Sequence, residues 1–217
     1  MIRMKLFTGM AAAVLTVSTV MAGTGFQGQP SGAKKYSLNA AVGKSVANFV
    51  SDAPTEKITG TADGVSGTFM LDASNLEATK GKIEVAVRSM TTAMSKRDDH
   101  MYSASWLGAD EFPTIVFSLE GLKDVKATMV DGRYQTKALA TGQFTLHGVT
   151  KPVTAEIVLT YLPASTETAK RAPGNLVLVS ARFMIALKDF NVVGKAGVVG
   201  KSVGETIALD INLYANS

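Results

Sequence analysis

The feature that most constrains this chain is alternation of apolar and polar side chains, repeated from residue 65 to residue 214. A period of two puts every second side chain on one face of a sheet. Val65, Gly67, Phe69 and Leu71 share one face, with Ser66, Thr68 and Asp72 opposite. Ile83, Val85 and Val87 alternate with Lys82, Glu84 and Arg88. Ile115, Phe117 and Leu119 alternate with Thr114, Ser118 and Glu120, although Val116 blurs that pattern. The pattern is clearer in the second half, where Gly142, Phe144 and Leu146 lie opposite Thr141, Gln143, Thr145 and His147. Val153, Ala155, Ile157, Leu159 and Tyr161 then alternate with Thr154, Glu156 and Thr160. Two long strands follow over 177–187 and 203–214, the second with Ile207, Leu209, Ile211 and Leu213 on one face. Val130-Asp131-Gly132-Arg133 carries the Asp-Gly signal of a tight hairpin.

About eight such strands, each with one apolar face, predict an all-β chain built on an antiparallel sheet. Closing the sheet into a barrel would remove its edges and leave room inside for one elongated ligand. A sandwich with a solid core has the same spacing, so alternation alone leaves both open.

The first residues read differently. Arg3 and Lys5 precede an apolar run over 10–21, and Val20-Met21-Ala22 has the small residues of a cleavage box. This predicts a secretory signal peptide over 1–22; the run is short for a membrane span, which needs about 20 residues. Residues 23–35, rich in Gly, Gln, Ser and Pro, read as a flexible lead-in to a single domain over 36–217. The net charge of +4 is mild and evenly spread, which argues against a nucleic-acid partner. With no cysteine the chain has neither disulfides nor thiol chemistry, and its stability must come from packing.

Residues 95–117 interrupt the strands. Here Arg97, Asp98, Asp99, His100, Trp106, Leu107 and Phe112 crowd together, and a short helical insertion is expected near 95–107. Ser95 followed by Asp98 has capping-box character, so Asp98 reads as a capping acid. Arg97 offers a guanidinium for an anionic group, or a surface ion pair with Asp98, Asp99 or Asp110. Trp106, Leu107 and Phe112 read as plugs. The two histidines, His100 and His147, are too few and too widely spaced to define a metal site; His147 reads as a turn-packing residue. No nucleophile stands beside a base; an acid/base pair such as Asp98 with His100 is conceivable, since the residue types suit proton transfer. Over 188–201, Gly194, Gly197 and Gly200 interleave with Lys195 and Lys201, a combination that suits anions but precedes a strand and reads as a mobile rim loop.

Two long segments carry a resemblance. Arg97-Asp98-Asp99-His100-Met101 followed by Trp106-Leu107-Gly108-Ala109-Asp110-Glu111-Phe112-Pro113-Thr114-Ile115-Val116-Phe117 resembles the first motif of YceI-like proteins, and the segment from Gly142 to Val153 resembles the second. The resemblance implies an eight-stranded antiparallel lipocalin-like β-barrel, exported to the periplasm. It implies a carrier without established catalysis that holds a long isoprenoid or similar amphiphile: a polyprenyl phosphate, an isoprenoid quinone or a fatty amide. Arg97, Asp98 and His100 become the candidate head-group residues. Phe69, Val85, Phe117, Phe144, Ile157, Leu159, Phe183, Ile185 and Leu209 become the candidate tail-binding residues. No cofactor or metal is implied. The expected partner is an isoprenoid or other amphiphilic lipid, with transient contact to a membrane or membrane protein compatible and the oligomeric state open, a homodimer included. The alternatives are an enzyme acting on a small amphiphile through His100 and Asp98, and a solid-core barrel that binds a partner.

Overall fold

A computed structural model of the chain describes residues 24–217; the expected signal peptide over 1–22 lies outside the described residues. Eight strands close an antiparallel barrel: β1 (Lys34–Leu38), β4 (Val65–Asp72), β5 (Asn75–Ala86), β7 (Thr114–Val130), β8 (Arg133–Leu146), β9 (Val149–Leu162), β10 (Leu176–Ala186) and β11 (Thr206–Asn216). They pair in that order, and β1 returns to β11 through Ser37↔Asn216 and Leu38↔Ala215.

Three further strands extend the wall at one end. β2 (Val46–Asp52) pairs with the first half of β11, β3 (Lys57–Ala62) with β2, and β6 (Met90–Thr91) with β3. β2 therefore occupies the same side of β11 as β1, further along it. Each of three positions in the wall is thus broken into two strands, at the loop over 39–45, at Asp63-Gly64 and at the 3-10 turn Val87–Ser89. That turn also corrects the expected strand around residue 87: Val87 leaves the ladder yet stays buried.

Local chemistry explains the hairpins. Asp131 and Gly132 both take positive φ between Val130 and Arg133, the geometry that matches the twist of the flanking strands. His147 and Gly148 do the same between β8 and β9.

The end opposite β2 and β3 is solid. Tyr36 stacks on Phe69 with ring centroids 5.3 Å apart, and Leu71, Leu76 and Val177 are fully buried around them. Asn175 donates from Nδ2 to the Tyr36 hydroxyl at 3.2 Å. Burial, with Tyr36 close by, pushes the Tyr161 phenol up to about 12.

The segment read as a flexible lead-in belongs to this end. Phe26 is 3 % exposed, with its ring 5.3 Å from that of Tyr134 and 5.6 Å from that of Tyr161. Its amide donates to the Ala73 carbonyl, and the Leu76 amide donates back to the Thr24 carbonyl. A lone aromatic among Gly, Gln and Pro has no period to reveal it, but the barrel's open floor gives it a place to bury.

Candidate functional site

The other end is hollow. A cavity of about 690 Å³ lies inside the barrel between β2, β3, β6, the helix α1 (Ser95–Tyr102) and the loop that precedes β11. Its walls are mainly apolar: Phe49, Ile58, Met90, Trp106, Ile115, Phe144, Ile185, Leu187, Ile207 and Leu209. Below it a second apolar cavity of about 100 Å³ is lined by Phe69, Val85, Phe117, Ile157, Leu159 and Phe183. Ile115 and Phe144 line both and so form the partition between them. All nine candidate tail residues thus line one cavity or the other. A wholly solid core does not describe this barrel.

The mouth is built by α1 and the loop over 191–204. α1 starts after Met94, whose backbone is extended and which makes no side-chain cap. Ser95 therefore does not cap the helix, and Asp98 has another task. Only 8 % exposed, Asp98 accepts from Thr91 Oγ1 at 2.6 Å, Thr92 N at 2.8 Å and Thr92 Oγ1 at 2.7 Å, tying α1 to β6. Burial pulls its pKa up, but these bonds and the nearby Arg97 charge outweigh burial and hold the carboxyl below its usual value. Asp98 itself does not line the cavity. Tyr102 adds a second tether, donating from its hydroxyl to the Met90 carbonyl while Arg88 lies 5.6 Å from its ring centre.

Helix α1 ends at Tyr102, short of the expected residue 107, because Ser103 turns extended and accepts backbone bonds from Trp106 and Gly108. Leu107 and Ala109 are buried there. Phe112 packs edge-on to His147, centroids 5.0 Å apart, and the His147 ring, with its proton on Nδ1, donates to the Phe190 carbonyl at 3.3 Å. His147 is thus a turn-packing residue. Among the described residues no three His, Cys, Asp or Glu side chains converge to hold a metal.

Arg97 and His100 do line the cavity. Arg97 pairs with Glu56 at 2.5 Å, an acid on the β2–β3 turn, in place of the nearby Asp residues considered from sequence; Arg88 takes Asp110. Lys96 and Lys195 also face the cavity. The mouth therefore presents three fixed cations against one carboxylate, itself already paired. The Trp106 ring rests on Gly194, whose φ is +59° and where a Cβ would come within 2.5 Å of the ring. This contact fixes the glycine-rich loop to the far wall of the mouth.

Sequence reading missed Glu56, Phe49, Ile58 and Met90. Phe49 and Ile58 belong to short strands whose alternation spans few residues, and Met90 to a two-residue strand that has none.

A family model, the YceI-like domain, matches residues 36–215. Protein YceI of Salmonella arizonae is 32 % identical over 151 residues, covering 70 % of this chain and 72 % of that protein; the protein of the same name from Salmonella newport matches equally. Among solved structures, BcnA of Burkholderia cenocepacia superposes with a TM-score of 0.63 at 16 % identity, over 82 % of this chain and 99 % of that one. A polyisoprenoid binding domain from Saccharophagus degradans gives 0.58 at 17 %, over 84 % and 98 %. These likenesses carry the fold, and the family match carries the membership: the chain belongs to the YceI-like family.

Proposed function

We propose that this protein is a carrier for an amphiphile, its apolar tail held in the 690 Å³ cavity and its polar head at the mouth beside Lys96, Arg97, His100 and Lys195. The observation that carries this reading is the cavity itself. Its size falls within the roughly 300–1,000 Å³ of sites that enclose small ligands, and its apolar wall ends in a rim of cations. Desolvating the tail supplies affinity, at roughly 25 cal/mol per Å² of apolar area removed from water. The uncompensated positive charge at the rim favours an anionic head. The polyisoprenoid binding of the Saccharophagus domain agrees with a prenyl tail.

In this reading the protein is exported to the periplasm, as the basic start and apolar run of residues 1–22 suggest. Met94, 51 % exposed at the cavity mouth, and Val193, 70 % exposed on the loop next to the cavity-lining Val192, would touch a membrane during loading. Replacing both with Ser, which removes apolar surface without adding charge, should slow uptake of a prenyl lipid from vesicles more than uptake of a water-soluble short-chain analogue; equal slowing of both would exclude the membrane step.

The test of the main reading is to purify the protein from its host, extract it with organic solvent and analyse the extract by mass spectrometry. A prenyl or acyl amphiphile at near-stoichiometric yield is expected. Protein that is repeatedly free of ligand and takes up no prenyl lipid would refute it. The enzyme reading predicts turnover of the extracted compound that His100→Ala abolishes; the carrier reading predicts an altered affinity and no product.

A further inference from the structure

The partition between the two cavities has a consequence for which tails the site accepts. Phe144, on the inward face of β8, is 5 % exposed and lines the floor of the large cavity and the roof of the small one. Its ring is clamped edge-on from two directions, by Phe183 with centroids 5.5 Å apart at 75° and by Phe190 at 5.5 Å and 84°. Edge-to-face contacts of this kind are favoured for aromatic pairs, and packing on two sides restricts the ring. Phe183 is itself stacked on Phe117. A tail descending from the mouth therefore meets a braced aromatic layer part of the way down the barrel.

We infer that Phe144 is the tail-length gauge of this site. It restricts the ligand to amphiphiles whose tail is accommodated in the 690 Å³ above it, and it excludes polyisoprenoids long enough to run the full barrel. The inference rests on the amphiphile reading and narrows it to short prenyl or acyl tails. The cavity below offers about 100 Å³, and the layer of Tyr36, Phe69 and Phe26 closes the barrel beyond it. Joined to the space that the Phe144 ring vacates, that volume would lengthen the space open to a tail.

The chain has one tryptophan, Trp106, and it lines the large cavity. Its emission can therefore report ligand entry without a label. Delipidated full-length protein is titrated with geraniol, farnesol, geranylgeraniol and solanesol. Wild type should bind best at one of the shorter prenols and lose affinity toward solanesol. Phe144→Ala should shift the optimum to the next longer prenol, by at least fivefold in the ratio of its affinity to that of geraniol. Phe144→Leu, which keeps most of the packing, should shift it in the same direction and carries the test if the alanine variant does not fold. Ala181→Leu fills the lower cavity from β10; it should leave wild-type preference intact and reverse the shift in the Phe144 variants, an outcome that general loosening of the core does not produce. Folded Phe144 variants that keep the wild-type order of preference would overturn the gauge while the carrier reading stands. If neither a prenol nor a fatty acid of ten to twenty carbons, titrated in the same way, perturbs Trp106 in wild type, the carrier reading falls and the gauge with it.

Discussion

The assignment of residues 24–33 as the floor of the barrel can be tested through Phe26. Truncation to alanine removes a ring that is 3 % exposed and has two aromatic neighbours within 5.6 Å. Burying a phenylalanine contributes about 1.5–3 kcal/mol, and each aromatic pair about 0.5–1.5 kcal/mol beyond area. The sum, about 2.5–6 kcal/mol, spans the usual range of about 3–5 kcal/mol for such truncations. The lower half applies here, because the segment is held by few other bonds and can detach without leaving a sealed void: its remaining anchors are backbone bonds to Ala73 and Leu76, the Thr24 hydroxyl on Asn75 and the Gly32 amide on Asp72. Phe26→Ala should therefore cost about 3 kcal/mol. For a domain of this size that is a fall of roughly 6–12 °C in melting temperature. Urea unfolding followed by Trp106 emission gives the free energy, and because Trp106 lies in the cavity at the other end, native emission should not change. Phe26→Leu should recover about half of the loss. A Phe26→Ala protein within about 0.5 kcal/mol of wild type, the range of ordinary surface changes, would refute the floor assignment.

Other expectations follow from the mouth and the walls. The Arg97–Glu56 pair is partly exposed, so a double-mutant cycle with Glu56→Gln and Arg97→Met should give a coupling of only about 0.5–1 kcal/mol. Gly60 lies under the Phe49 ring, and a Cβ there would come within 2.1 Å of it; Gly60→Ala should cost about 1–3 kcal/mol by overpacking, and Phe49→Leu should relieve most of that in a thermal melt. The Asp98 carboxyl sits below its usual value near 3.9, so its stabilisation is present above that pH and is lost as pH falls through the lower folded value. Asp98→Asn should cost about 1–3 kcal/mol at neutral pH, and the gap to wild type should close in acid melts below about pH 4. Leu76→Ala, in the solid end, should cost about 3–5 kcal/mol, and Leu209→Ala, already facing open space, about 2 kcal/mol.

The barrel was legible because its strands are long and its inward residues regular: Ala155 to Tyr161 and Gly142 to Leu146 alternate as read and bury as read. The Asp-Gly hairpin was legible because its turn needs two positive φ values and few residues supply them. Asp98 shows the opposite case. Its spacing from Ser95 is that of a capping box, but its carboxylate is satisfied by Thr91 and Thr92 upstream of the helix, a pairing set by how β6 meets β3. Arg97 likewise found its partner, Glu56, across the barrel mouth and 41 residues away in the chain. Phe26 was hidden by its company. Each of these depends on a contact between segments, which local periodicity does not encode.

The division of the barrel into a filled half and a hollow half does not come from the inward residues themselves. β10 presents Val177, Val179, Ala181, Phe183 and Ile185 on one face; Val177 is packed solid while Ile185, of like chemistry, borders open space. What differs is the facing material. At the closed end Phe26, Tyr36, Tyr134 and Tyr161 reach into the centre from four segments and fill it. At the mouth the facing wall is made of β2, β3 and β6, where Gly60 leaves Phe49 lying against its neighbour, and α1 spans the end as a lid held by Asp98 and Tyr102. A hollow so bordered loses packing contacts on one side of every lining residue. The closed half, with its layered aromatics and continuous ladders, supplies the stability that lets the other half stay open and able to bind.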